Sequence, residues 1–178
     1  MVINWFRCLV TFSIPFHLLV LSLSVTAADS DVFFHSSLKI AKPEKAPAIS
    51  LLNLNKQVVN LQYENHVTLV HFWASWCLPC MKELPLIEKL QQDYRNKPAF
   101  RIITIAADSH KNIEQYVNSN NPNLSILIDQ YGKAMRDFQV KALPGSYLID
   151  KQGQLRYFAS GAVSWDSEKV KEKIRSLL

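Results

Sequence analysis

Apolar positions along this chain change period from segment to segment, and the changes predict its elements. Val67–Trp73 is a nearly unbroken apolar run with β-branched and aromatic residues, the pattern of a central strand buried on both faces. Before it, residues 49–54 and 57–61 flank Asn55-Lys56 and predict a hairpin. After it, Leu84, Ile87, Leu90 and Tyr94 recur at spacings of three, three and four, one apolar stripe on a helix. Residues 100–107 form the next buried strand. Asp108 and Ser109 offer N-caps to a helix with Ile113, Tyr116 and Val117 on one face, and Asn120-Asn121-Pro122-Asn123 breaks it. A short strand at 124–128, a short helix at 131–138, a hairpin of 146–149 with 155–159, and a last helix from near Asp166 complete the chain. The order ββ-β-α-β-α-β-α-β-β-α predicts an α/β domain, a mixed sheet covered by helices on both faces.

Residues 1–28 stand apart. Arg7 precedes an apolar stretch, residues 8–25, and Val25-Thr26-Ala27-Ala28 supplies small residues for cleavage after Ala27 or Ala28. This is the layout of a signal peptide. An uncleaved anchor is the alternative, because the stretch is about long enough to span a bilayer; Pro15, His17 and four Ser or Thr residues within it weigh against that. Residues 29–47, with Pro43, Pro47, Lys39, Lys42, Glu44 and Lys45, read as an exposed N-terminal arm. The folded domain is expected over 48–178.

Composition narrows the function class. With 48% hydrophobic and 20% charged residues the chain can bury a core. A net charge of +5 is modest, and the densest basic stretch, Lys169, Lys171, Lys173 and Arg175, is interrupted by Glu168 and Glu172. That is a solvated helix face, and no nucleic-acid partner is expected.

Removing the leader takes Cys8 with it and leaves Cys77 and Cys80, three residues apart. A disulfide across so short a loop restrains the unfolded chain little, so the pair serves chemistry or metal. The buried strand ends at Trp73 and a helix starts within about four residues, which puts Cys77 at the helix N-terminus. Unpaired N–H groups and the helix dipole there favour a thiolate. Cys80 lies one turn further in on the same side. Cys77 is thus expected as the exposed attacking sulfur and Cys80 as the buried resolving one. Pro79 fits the first turn, Pro85 is expected to kink the helix, and Trp73 and Trp76 are expected to pack around the sulfurs. Structural zinc needs four ligands, and only His66 and His71 accompany the two thiols. Covalent haem needs His after the second Cys, where Met81 stands. A peroxidase would not require a second Cys so close. The dithiol reading is expected, with no metal and no cofactor.

Phe72-Trp73-Ala74-Ser75-Trp76-Cys77-Leu78-Pro79-Cys80, followed by Glu83 and Pro85, resembles the active-site signature of TlpA/ResA-type exported thioredoxins. Residues 140–153, with Leu143-Pro144-Gly145-Ser146 at their centre, resemble that family's cis-proline loop and following hairpin. Gly161 with Trp165-Asp166 is a weaker third match. The resemblance spans residues 47–178 and implies a thioredoxin fold with an added N-terminal β-hairpin. It implies that Pro144 is cis and faces the Cys77–Cys80 pair, and that the backbone of Leu143 pairs with an extended substrate segment. It implies an exported thiol–disulfide oxidoreductase that reduces protein disulfides, with a membrane thiol-transfer reductase as electron donor and apocytochrome c or other exported cysteine proteins as substrates; a monomer is expected. Two positions depart from the pattern. His71 stands where thioredoxin proper has a buried Asp, and a neutral His there could accept the Cys80 proton. Gly145 and Ser146 stand where the cytochrome-maturation branch often carries an acid. Glu83 matches an acidic position of the TlpA type and is either a tuner of the thiols or a plain exposed helix residue. The alternatives are a thioredoxin-fold copper chaperone, which Cu(I) titration of the reduced protein would reveal, and a disulfide oxidase running in the opposite direction.

Overall fold

The computed structural model describes residues 37–178. The expected leader, 1–28, and the first part of the arm lie outside the described residues. The elements are β1 (Lys39–Ile40), β2 (Ile49–Asn53), β3 (Val58–Leu61), β4 (Val67–Trp73), α1 (Leu78–Asp93), β5 (Phe100–Ala106), α2 (His110–Asn120), β6 (Ile126–Ile128), α3 (Lys133–Asp137), β7 (Gly145–Ile149), β8 (Leu155–Ser160) and α4 (Glu168–Arg175). The strands form one mixed sheet in the order β1-β8-β7-β4-β5-β6-β2-β3.

Strand β4 is buried along its whole length, between a parallel neighbour, β5, and an antiparallel one, β7. Its side chains alternate between two layers. Val67, Leu69 and Trp73 face α1, α2 and α4, where they meet Ile87, Leu90, Leu84, Ile113, Val170 and Ile174. Val70 and Phe72 face the other way and pack with Ala134 of α3, Phe138 and Ile149. Burying both faces is why β4 carries no polar alternation. Helices cover both faces, as expected.

The added hairpin, β2 with β3, joins the sheet beyond β6 through an antiparallel β2–β6 pairing. The arm departs from expectation. Residues 37–47 are not simply exposed: β1 pairs with β8, Lys45 bridges to Gln154, and Leu38 and Ala46 are buried. Two apolar side chains find the core there although the stretch has no strand-like period. α1 runs unbroken over 16 residues with Pro85 inside it.

Candidate active site

At the end of β4 the chain turns through Ala74, Ser75 and Trp76. The Cys77 N–H donates to the Ala74 carbonyl (3.1 Å), and Cys77 N-caps α1. Its sulfur accepts from the Cys80 N–H at 3.3 Å, so an orphan donor of the first turn is spent on the reactive sulfur. Pro79 occupies the first turn, where it forfeits no hydrogen bond. Cys77 and Cys80 form a disulfide with Cα atoms 5.2 Å apart. Cys77 keeps 5% of its surface and Cys80 none. Cys77 is the more exposed of the two, but it is nearly buried rather than an exposed side chain.

Trp73 belongs to the same buried cluster as both cysteines and meets Tyr116 edge-on at 5.0 Å. Trp76 does not pack as expected: it is 70% exposed, and Leu78 is 63% exposed. Both sit on the outward side of the turn and first helical residues, so the disulfide is flanked by uncovered apolar surface.

From the other side comes the segment before β7. Register pairs Gly145 with Phe72, which brings Pro144 beside the end of β4. The Leu143–Pro144 peptide is cis, and the Pro144 carbonyl accepts from the Gly161 N–H at 2.8 Å. Leu143 packs against the group of side chains that contains Cys77, Cys80 and Trp73. Gly145 has no room for a side chain: a Cβ would lie 2.9 Å from Val140 Cγ1 and 3.2 Å from the Ala142 carbonyl. Folding therefore brings residues 143–144 and 77–80 together.

Across β5, β4 and β7 runs a buried polar row. His71 pairs in register with Ser146 on one side and Thr104 on the other, and all three are fully buried. His71 Nδ1 and Ser146 Oγ are 3.0 Å apart. Burial pushes the imidazole down to about 3, so it is neutral at ordinary pH. Glu83 is not an exposed helix residue. It is fully buried on α1, three residues past Cys80, and accepts from the Val163 N–H (3.1 Å) and the Trp165 indole. Desolvation pushes its carboxyl up to about 8, against a lowering by those two hydrogen bonds. Trp165 also meets the His71 ring edge-on at 6.4 Å. Among the described residues, His71 Nε2, Trp73 Nε1 and Glu83 Oε2 are buried without a hydrogen-bond partner.

The sequence model of the AhpC/TSA family matches residues 43–158. The chain is 32% identical over 128 residues to the thioredoxin-like protein YneN of Bacillus subtilis, an alignment covering 70% of this chain and 75% of that one. The chain belongs to the AhpC/TSA family, in its ResA/TlpA-type thioredoxin-like group. It is 26% identical over 162 residues to the thiol–disulfide oxidoreductase ResA of Bacillus cereus, covering 90% of each chain. A solved structure from Chlorobium tepidum, described as a thiol:disulfide interchange protein of the DsbE kind, superposes with a TM-score of 0.70 at 27% identity. It covers 78% of this chain and 99% of that one. This member of the family is a thiol–disulfide oxidoreductase.

Asp108 was legible in the sequence only as a candidate cap. Ser109 caps α2 instead, accepting from the Asn112 N–H at 3.2 Å. Asp108 reaches back to the turn before Cys77, where its carboxylate accepts from the Ser75 N–H (3.2 Å) and hydroxyl (2.6 Å). Its other oxygen accepts from the Ser109 N–H and the Asn112 side-chain amide, each at 2.7 Å. Burial raises its carboxyl, but the four hydrogen bonds outweigh that and hold it below the usual range.

Proposed function

We propose that this protein reduces disulfides in other proteins outside the cytoplasm, using Cys77 as attacker and Cys80 as resolver. The observation that carries the reading is the disulfide at the N-terminus of α1, with Cys77 5% exposed and Cys80 fully buried one turn from buried Glu83.

In the reduced protein the Cys77 thiolate, stabilised by the helix N-terminus, attacks a substrate disulfide. It forms a mixed disulfide and expels one substrate thiolate. Cys80 then yields its thiol proton, to Glu83 in the molecules whose carboxyl is ionised and so increasingly as pH rises toward 8, and attacks the Cys77 sulfur. This expels the second substrate thiolate and restores the Cys77–Cys80 bond. Two electrons pass to the substrate. Glu83 suits the proton step because its value, about 8, lies beside that of an ordinary thiol. His71, held neutral with a value near 3, is a poor acceptor at neutral pH and serves instead as a packed polar partner of Ser146. The substrate segment lies against Leu143 and Pro144 in extended form.

The family resemblance supports reduction over oxidation, with electrons supplied by a membrane thiol-transfer reductase and exported cysteine proteins, apocytochrome c among them, as substrates. The signal-peptide pattern of residues 1–28 supports an extracytoplasmic location. Among the described residues no helix is long and apolar enough to cross a membrane.

A trapping experiment tests the assignment. Cys80→Ala should accumulate mixed disulfides through Cys77 in cells, and Cys77→Ala should not. Equal trapping by both overturns the roles. The reduction potential of the wild-type pair against a thiol buffer sets the direction, since about 30 mV is worth 1.4 kcal/mol.

A further inference from the structure

We propose that Asp108 is a positioning residue for protein substrates. By clamping Ser75 it fixes the turn that presents Trp76, and Trp76 with Leu78 and Leu143 forms the apolar collar on which a substrate chain rests. The inference rests on the function proposed above and adds what sets the enzyme's preference for protein over small disulfides.

The geometry begins with the parallel pair. β4 and β5 run side by side with Trp73 opposite Ala106, and the Ala107 N–H still reaches the Trp73 carbonyl at 2.8 Å. The two chains therefore leave the sheet together, and residues 74–76 lie beside 107–109. Asp108 is buried and accepts all four of its hydrogen bonds from named donors. Two come from Ser75, on the catalytic turn, and two come from the N-cap and first turn of α2, from Ser109 and Asn112. A carboxylate accepting from a hydroxyl at 2.6 Å makes a charge-assisted bond, roughly twice as strong as a neutral one. One oxygen thus holds the turn, while the other ties it to a helix packed on the sheet through Ile113.

The turn so fixed has an unusual duty. Its next residue, Trp76, has most of its ring in water, and Leu78 follows on the far side of Cys77. A large aromatic ring exposed beside a reactive sulfur, carried on a backbone that is already fixed, can bury area on a partner without that backbone first losing freedom. A small disulfide needs only to reach Cys77. A protein disulfide, carrying an extended chain on either side, needs the collar as well. The substrate chemistry this fits is an extended segment with an apolar side chain flanking its cysteine.

The test compares Ser75→Ala, Asp108→Asn and Ser75→Thr, each checked for an unchanged near-ultraviolet circular dichroism spectrum. Reduction of insulin and of oxidised glutathione is followed with dithiothreitol as electron source. For Ser75→Ala and Asp108→Asn the ratio of kcat/KM on insulin to that on glutathione disulfide should fall about tenfold, through KM for insulin. Ser75→Thr, which keeps both donors, should restore the wild-type ratio. A ratio unchanged in folded Ser75→Ala and Asp108→Asn, or a loss carried by kcat on both substrates alike, overturns the inference. Failure of the wild type on both substrates would instead overturn the proposed function.

Discussion

Replacing Glu83 by Gln should remove a pH-dependent weakness from the fold. Glu83 is fully buried, and desolvation raises its carboxyl from 4.5 to about 8. The unfolded chain releases this proton near 4.5, whereas the folded protein holds it to about 8. Between those values the folded state binds more protons, so stability falls as pH rises. The contribution is complete below about pH 4.5 and gone above about pH 8. At about 1.4 kcal/mol per pH unit the whole span is worth on the order of 4 to 5 kcal/mol, of which about 3 falls between pH 5 and 7.5. Gln keeps an oxygen for the Val163 and Trp165 donors but has nothing to ionise. Urea unfolding of the oxidised protein, followed by tryptophan fluorescence, is the assay. With a slope of about 1–3 kcal/mol per molar urea, the wild-type midpoint should drop by about 1–3 M relative to the variant over that interval. Other titrating groups cancel in the difference. A wild-type-to-variant gap that stays the same at pH 5 and pH 7.5 refutes the reasoning.

Two further substitutions probe the loop and the polar row. Gly145→Ala forces a Cβ to within 2.9 Å of Val140 and 3.2 Å of a backbone oxygen. It should cost about 1–3 kcal/mol in calorimetric stability and slow insulin reduction by shifting residues 140–144; a variant matching wild type in both contradicts the crowding. Ser146→Ala strands the buried His71 Nδ1 and should lower the urea midpoint by the equivalent of about 1–3 kcal/mol. No loss would mean that the His71–Ser146 bond contributes nothing net.

The helix-and-strand order was readable because burial imposes period. β4 had to be apolar throughout, and α1 and α4 had to carry stripes at Ile87 and Leu90 or Val170 and Ile174. The cysteines were readable because two thiols at that spacing have few other uses. What stayed hidden depends on partners distant in sequence. Glu83 looks like any helix glutamate until Val163 and Trp165, some 80 residues on, close over it. Asp108 looks like a cap, because nothing local reveals that the β5 loop lies against Ser75. β1 has two residues, both exposed, and no pattern could announce it. Trp76 was expected to pack because aromatic residues usually do; its neighbours are revealed only by the turn.

The two ends of the sheet also bear on how such an enzyme meets its clients. Among the described residues one border is β1, two residues long, and the other is β3, four residues long. Neither offers enough free main chain to template a stranger's strand. A protein that handles chains with unmade or misplaced cystines works among unfolded, adhesive material. Short borders let it engage such a chain at one sulfur and let go, without being zipped into an aggregate by its own sheet.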